Sequence, residues 1–191
     1  MTVYADSYIR IAPGTGTDAV VRIRAKRGET VNVKLPVSDA NDMTTYFYSA
    51  HYITSMENIA ALKPKSINAA GASRLRILSV NTFGSPNNEN LTQATFGNNT
   101  MLESLEVCNC PNVKNELDLS TATGLRDLDI RGSGFTAVTI ADNAPTETLY
   151  LNNPSTIYLS NLHNIENFSI DYSNLEGLYL NNIDDNIDIN S

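Results

Sequence analysis

The residue types that most often carry catalysis are scarce in this chain of 191 residues, and they form no recognised pattern. His51 and His163 are its two histidines, and neither stands at the spacing of a Ser/His/Asp triad or a histidine metal site. Cys108 and Cys110 are too few for a structural zinc site and too close in sequence for an unstrained disulfide. The glycines of residues 13–18 complete neither a dinucleotide-binding motif nor a P-loop. We therefore expect no catalytic residue, no metal and no cofactor, and a protein that is not an enzyme.

Clustered acidic residues form the one pattern that could bind a cation. Asp127 and Asp129, and the sequence DDNID at residues 184–188, present the oxygen ligands that calcium prefers. Neither segment matches an EF-hand loop or a glycine–aspartate nonapeptide. We interpret both segments as solvated acidic surface, and whether calcium binds stays open at this point.

A short apolar–x–apolar motif recurs along the second half of the chain and must position any functional side chain there. Successive side chains of a strand point to opposite faces. The motif therefore predicts a short strand whose two apolar side chains share one face and whose middle side chain lies on the other. From Ala94 onward the motifs begin 8 to 12 residues apart. Two motifs are long enough for one coil of a solenoid with two short strands on different walls. The motifs begin at Leu78, Ala94, Leu105, Leu117, Leu128, Val138, Leu149, Ile157, Phe168, Leu178 and Ile187.

Several motifs extend into a longer signature. Residues 102–110 read L-x-x-L-x-V-x-x-C, and residues 175–183 read L-x-x-L-x-L-x-x-I. This pattern resembles the leucine-rich repeat, and in particular the variant of Bacteroidetes surface proteins and, more distantly, of internalin-like adhesins. The resemblance covers roughly residues 75–190. It implies a mainly β fold, a leucine-rich-repeat-like β-solenoid with short strands, and recognition at a bacterial cell surface or after secretion.

Charge divides the chain into two units. Residues 1–80 carry 10 basic and 6 acidic residues, a net of +4, whereas residues 81–191 carry 3 basic and 15 acidic residues, a net of −12. We expect a β-rich N-terminal cap at residues 1–74 and the solenoid at residues 75–191. The two units could attract each other within one chain or between copies, or could simply differ in origin.

Two local patterns describe the cap in more detail. Alternating apolar residues at 21–25 and 31–35 predict a β-hairpin. Thr54 and Glu57 form a capping box, which predicts a short helix near residues 55–62.

Asparagine is the commonest polar residue of the second unit, with 20 of the chain's 24 asparagines at or after Asn81. Many follow the predicted strands directly. Asparagine tolerates the left-handed backbone conformation and bonds to nearby backbone, so we expect corners of the coils at these positions, with stacked asparagines forming a ladder. The corner asparagines are Asn109, Asn143, Asn152, Asn153, Asn161, Asn181 and Asn182.

The two cysteines are expected to be free thiols. Cys110 stands at the N/C position of the leucine-rich-repeat consensus, and the resemblance implies that it is buried. Strand alternation predicts that Cys108 faces outward.

The middle residue of each motif should face outward. If alternate motifs share a wall, one wall presents Thr95, Asp118, Thr139, Tyr158 and Tyr179, and the other presents Glu106, Asp129, Tyr150, Ser169 and Asp188. Tyr158 and Tyr179 would then be stacked neighbours. Exposed tyrosines can bind a partner through large rigid rings, or can form an aromatic ladder that stabilises the sheet. The candidate partner-binding residues are Tyr158, Tyr179, Tyr150, Asp118, Asp129 and Glu106.

These features favour a non-enzymatic recognition or structural module that presents its solenoid walls to a protein or glycan. One setting is a surface or secreted bacterial adhesin-like protein, although no signal peptide is visible. The alternative is a bacteriophage virion protein of the tail, fibre or capsid decoration, which Met1 favours. A carbohydrate-active enzyme is the outsider, because paired carboxylates need a cleft.

Other partners are not expected. No run of about 18 apolar residues could span a membrane, and the net charge of −8 argues against nucleic acid. The last predicted strand ends at Ile189 without a cap, so we expect the final coil to join more protein, to self-associate or to fray.

Overall fold

In the computed structural model, the chain is described over residues 9–12, 19–25, 30–35, 45–47, 53–57, 59–62, 64–70, 72–152, 154–171 and 175–183. Four strands precede the repeats, and two antiparallel pairings organise them. β2 pairs with β3 so that Ile23 lies opposite Val31, which confirms the predicted hairpin. β1 pairs with β4 in the same antiparallel manner. These strands are β1 (Ile9–Ala12), β2 (Ala19–Ala25), β3 (Thr30–Leu35) and β4 (Thr45–Phe47).

The rest of the chain is a β-solenoid of six coils, as the repeated apolar motif predicts. Each coil contributes one strand to each of two walls. The strands of the first wall are β5 (Ile53–Glu57), β7 (Ile77–Asn81), β9 (Ser104–Val107), β11 (Asp127–Asp129), β13 (Thr148–Asn152) and β15 (Asn167–Asp171). The strands of the second wall are β6 (Ser66–Asn68), β8 (Gln93–Thr95), β10 (Leu117–Leu119), β12 (Ala137–Ile140), β14 (Thr156–Ser160) and β16 (Gly177–Asn181).

Coil strands that are hydrogen-bonded to each other run parallel and in register. Leu128 of β11, for example, lies beside Leu149 of β13, 21 residues further along the chain. The first wall is one sheet with the order β3-β2-β5-β7-β9-β11-β13-β15, and the second wall consists of two sheets, β4-β1-β6-β8 and β10-β12-β14-β16. Alternate motifs therefore share a wall, as predicted.

The core is a stack of inward-facing apolar side chains between the walls. Strand β10 shows the alternation plainly, because Leu117 and Leu119 are 1% exposed while Asp118 between them faces solvent. The same inward rows continue through every coil from Met56 to Ile170. Each coil thus buries its apolar residues only against its neighbours, which is the stacking principle of a solenoid.

Asparagines at the coil corners adopt the backbone conformation expected of them. Asn109, Asn143, Asn161 and Asn182 have φ angles of 53°, 59°, 54° and 52°, which lie in the left-handed region that asparagine tolerates. Asn182 Nδ2 donates to Asn161 Oδ1 at 2.8 Å, so the predicted stacking of corner asparagines is confirmed for this pair. Asn152 and Asn181 instead belong to strands, and Asn153 lies outside the described residues.

Asn115 explains why the second wall is divided into two sheets. Its side chain takes the place of a neighbouring strand, since Ala94 N donates to Asn115 Oδ1 at 3.1 Å and Asn115 Nδ2 donates to Ala94 O at 2.8 Å. The side-chain amide therefore satisfies both backbone groups of Ala94, which is fully buried. The wall continues from β8 to β10 through this amide.

The predicted helix near residues 55–62 is wrong over its first part. Residues Ile53–Glu57 form strand β5, and a 3₁₀ helix follows at Ile59–Leu62. Ser55 and Met56 lie in parallel register with Ile77 and Leu78, and Met56 is fully buried. Burial against the next coil outweighs the capping-box signal. The coil of β5 and β6 also precedes residue 75, where the repeat was expected to begin.

Candidate functional site

Two exposed tyrosines form a stack on the second wall. Tyr158 of β14 and Tyr179 of β16 lie in register, with ring centroids 4.8 Å apart and ring planes 10° from parallel. This separation equals the spacing of neighbouring strands, and the predicted stacking is confirmed. The two residues are 45% and 58% exposed, so the pair offers a rigid aromatic surface to solvent.

Gly177 makes room for the Tyr179 ring. It stands two residues before Tyr179 on the same face of β16. A Cβ atom built on Gly177 would lie 2.9 Å from Tyr179 Cε2, which is closer than van der Waals contact. The Tyr179 ring therefore packs over Gly177 of its own strand. The lack of a side chain at Gly177 is what allows the ring to lie this close to the sheet.

Asp118 shares the second wall with the tyrosines but does not touch them. Strand β12 lies between β10 and β14, with Thr139 beside Asp118 on one side and beside Tyr158 on the other. Asp118 Oδ1 instead accepts the backbone N–H of Ser120 at 2.9 Å. Hydrogen bonds from the Ser120 side chain and backbone hold the pKa of Asp118 below its usual value. Asp118 therefore stabilises the turn after β10 through its hydrogen bond with Ser120.

On the first wall, the predicted residues Glu106, Asp129 and Tyr150 lie side by side. Ser169 continues the row beside Tyr150, whereas Asp188 lies outside the described residues. Glu106 accepts the Ser79 hydroxyl at 2.7 Å. The sequence therefore predicted the outward row of this wall correctly wherever the structure describes it.

Arg131 joins these residues into a cluster that also includes Phe83. Its Nε donates to Asp129 Oδ1 at 3.0 Å and its Nη2 to Asp129 Oδ2 at 2.6 Å, a bidentate ion pair. The guanidinium carbon lies 4.0 Å from the centre of the Phe83 ring and 4.3 Å from that of Tyr150. Two aromatic rings and a carboxylate thus hold one cation at the surface. We call Phe83, Asp129, Arg131 and Tyr150 the arginine cluster.

Phe83 and Arg131 were not predicted as site residues. Arg131 is one of three basic residues after residue 80 and stands two positions after Asp129, which was a weak signal of pairing. Phe83 is 55% exposed and lies 48 positions from Arg131, so only the stacking of coils brings them together.

The electrostatics of the cluster are set by a half-buried ion pair above a buried thiol. Burial opposes ionisation of Asp129, yet hydrogen bonds from Arg131 and Cys108 outweigh it and hold the pKa of that carboxyl below its usual value. Burial, reinforced by Asp129, raises the pKa of the Cys108 thiol. Cys108 is fully buried, so its predicted outward orientation is wrong. Strand β9 ends at Val107, and alternation no longer applies beyond it.

A shallow cleft of about 290 Å³ opens at the corner between β11 and β12. Its one charged lining residue is Lys114, whose Nζ donates to Pro111 O at 3.0 Å. The cleft thus lacks the pair of carboxylates that glycoside hydrolysis requires. Within the described part of the chain, no group of three or more His, Cys, Asp or Glu is placed to hold a metal ion, and residues 184–188 lie outside it.

No family model, curated protein or solved structure matches the chain. Among the described residues, no helix has the length and apolar character needed to cross a membrane.

Proposed function

We propose that this chain is a non-enzymatic recognition module that presents the walls of its solenoid to a protein or glycan partner. The observation that supports the proposal is the exposed Tyr158–Tyr179 stack on the second wall. Tyrosine is enriched in binding hot spots because it supplies a large contact area with few rotatable bonds. Mutual stacking fixes both rings before a partner arrives, which lowers the entropy cost of binding.

The surroundings of the stack support a partner without strong negative charge. The outward residues beside the two tyrosines include Thr139 of β12, Ser160 of β14 and Asn181 of β16. Hydroxyl and amide groups offer hydrogen bonds to sugar hydroxyls or to peptide groups. Asn181 Nδ2 already donates to Ser160 Oγ at 3.2 Å, so these groups are held in position across the coils.

The arginine cluster on the first wall supports a second contact region of the same kind. Arginine and aromatic residues are the types enriched at protein interfaces.

The alternative function is a structural role in a virion. The same surfaces of the solenoid would then contact neighbouring virion proteins.

A binding experiment with a double variant tests the proposal. Wild-type chain is screened on a glycan array and in pull-downs from bacterial surface extracts, and each partner found is titrated against Tyr158→Ala/Tyr179→Ala. We expect the dissociation constant to rise at least about 30-fold, since hot-spot truncations cost about 2 kcal/mol or more. The melting temperature should fall by only about 1–6 °C, because an exposed aromatic pair contributes about 0.5–1.5 kcal/mol.

Gln93→Ala is the matched control, because Gln93 is an exposed residue of β8 on the same wall, three strands away from Tyr158, and its removal should leave binding unchanged. Unaltered binding by the double variant would contradict a role for the tyrosine stack. A partner that binds only on the glycan array, or only in the pull-down, would assign the partner class.

A further inference from the structure

The shallow cleft at the corner of the solenoid lies where the connections from the first wall to the second become shorter. Successive connections span residues 108–116, residues 130–136 and residues 153–155. The side chains and backbone that line the cleft of about 290 Å³ come from all three connections. The cleft is therefore a product of coil stacking, and no single connection forms it alone.

Two glycines shape the cleft. Gly132 has a φ angle of 72°, in the left-handed region that favours glycine. A Cβ atom built on Gly134 would overlap Pro111 O and would lie 2.6 Å from Val113 O. The backbones of neighbouring connections are thus in direct contact beside the cleft, and neither glycine projects a side chain into it.

Lys114 places a cation at the cleft. Its Nζ donates to Pro111 O at 3.0 Å, and an ammonium group has three donors, so two N–H groups remain for a ligand. The other two basic residues after residue 80, Arg126 and Arg131, are each paired with a carboxylate. Among the described residues, no carboxylate lies within ion-pair distance of Lys114. Its charge is therefore uncompensated.

Hydroxyl groups supply further hydrogen-bonding capacity. Thr136 is exposed at the cleft. Ser155 Oγ donates its proton to Thr136 O at 2.9 Å, so its lone pairs remain to accept a hydrogen bond. The Ser133 hydroxyl is fully buried and donates to Val107 O, so it is not offered to a ligand. The cleft thus combines one cation with hydroxyls that both donate and accept.

The size of the cleft selects a small ligand. Its volume of about 290 Å³ is at the lower limit of ligand pockets, which is about 300 Å³. One sugar ring matches this size and brings hydroxyl groups that pair with those of Thr136 and Ser155.

The charge around the cleft limits how much negative charge the ligand carries. Residues 81–191 have a net charge of −12, and a field of this sign repels a polyanion. A single uncompensated ammonium group balances a single carboxylate, and hydrogen bonds between the two are stronger than those between neutral groups. The ligand that fits is therefore a ring with one carboxylate.

We propose that the cleft binds one hexuronate residue of an otherwise neutral glycan. Lys114 pairs with the carboxylate, and Thr136 and Ser155 bond to hydroxyls of the ring. This proposal rests on the proposed function, because it names the glycan that the recognition module takes. Its test uses a monosaccharide and variants of the cleft, so its failure is distinguishable from a failure of the tyrosine stack.

The test is a titration of the ¹⁵N-labelled chain followed by the NMR shifts of its backbone amides. The probe is methyl β-D-glucuronide, and methyl β-D-glucoside is its neutral counterpart. We expect the glucuronide to shift the amides of Gly132, Gly134 and Thr136 to saturation. The glucoside should bind at least about tenfold more weakly, because it lacks the charged partner of the ammonium group.

Three variants assign the roles of the side chains. Lys114→Met keeps the length of the side chain without its charge, and should raise the dissociation constant of the glucuronide to that of the glucoside. Thr136→Val should weaken the binding of both sugars about two- to tenfold. Lys65→Met is the matched control, since exposed Lys65 precedes β6 in the first coil and its removal should leave binding unchanged. The amide spectrum also shows whether each variant is folded.

Acetate and N-acetylglutamate distinguish a sugar from other carboxylates. If either bound as tightly as the glucuronide, the cleft would recognise a bare carboxylate or an acidic peptide, and the proposal would be overturned. Polygalacturonate should bind more weakly per uronate than the monosaccharide, and tighter binding would contradict a site for an isolated carboxylate. Wild-type affinity of Lys114→Met, or the lack of any saturable shift with the glucuronide, would also overturn the proposal.

Discussion

Replacing Asn115 by alanine should separate the two sheets of the second wall. The Asn115 amide is the partner of both Ala94 backbone groups, with bonds of 3.1 and 2.8 Å. Alanine would leave a buried N–H and a buried C=O unpaired, at about 1–3 kcal/mol each. Asn115 itself is half-buried, so water can reach part of the gap, and we expect a loss of about 2–4 kcal/mol.

Urea unfolding followed by circular dichroism measures this loss. For a chain of this length it corresponds to a fall in Tm of about 5–15 °C. Asn115→Asp retains the acceptor for Ala94 N–H but opposes Ala94 O with a second acceptor, so its loss should be intermediate. Asn112→Ala is the control, since exposed Asn112 Nδ2 donates to Glu89 O at 2.8 Å and its removal should cost less than about 0.5 kcal/mol. If Asn115→Ala cost no more than Asn112→Ala, the amide would not be what joins the sheets.

Three further predictions follow from the site. Gly177→Ala should reduce the near-ultraviolet circular dichroism of the tyrosines, because the added Cβ displaces the Tyr179 ring; an unchanged spectrum would contradict this contact. Cys108 and Cys110 should be inert to a thiol reagent at pH 8 until the chain unfolds. Burial shields both thiols and raises their pKa, that of Cys110 to about 12. Rapid labelling of the native chain would disprove their burial. The folded-state pKa of Asp129 is lowered, so its stabilisation is present above the unfolded value of about 3.9 and is lost as pH falls through the folded value. The stability difference between wild type and Asp129→Asn should therefore be largest near pH 7 and shrink below pH 4, and a constant difference would refute the ion pair as its source.

The outward rows could be predicted because they depend only on strand alternation and coil length. Tyr158 and Tyr179 are 21 positions apart, which is one coil, so their motifs alone place them side by side. The corner asparagines were predictable for an equally local reason, since few residue types tolerate positive φ. Asn109 and Asn161 both follow a strand directly or within two residues.

The remaining features depend on contacts between coils that sequence spacing does not reveal. Asn115 resembles any other loop asparagine until β8 lies beside it. Thr54 and Glu57 satisfy a helix signal locally, yet pairing with β7 makes this segment a strand. The arginine cluster requires Phe83 from a loop two coils before Arg131, and no local pattern links the two residues.

The central claim is that outward residues one coil apart meet on a common wall, and the Tyr158–Tyr179 pair tests it most directly. The chain contains no tryptophan and nine tyrosines, so selective tyrosine labelling gives a simple aromatic NMR spectrum. With ring centroids 4.8 Å apart, we predict strong nuclear Overhauser contacts between the rings of Tyr158 and Tyr179, each assigned by its loss in the corresponding Tyr→Phe variant. Absence of these contacts in the folded chain would contradict the solenoid register and the recognition surface built on it.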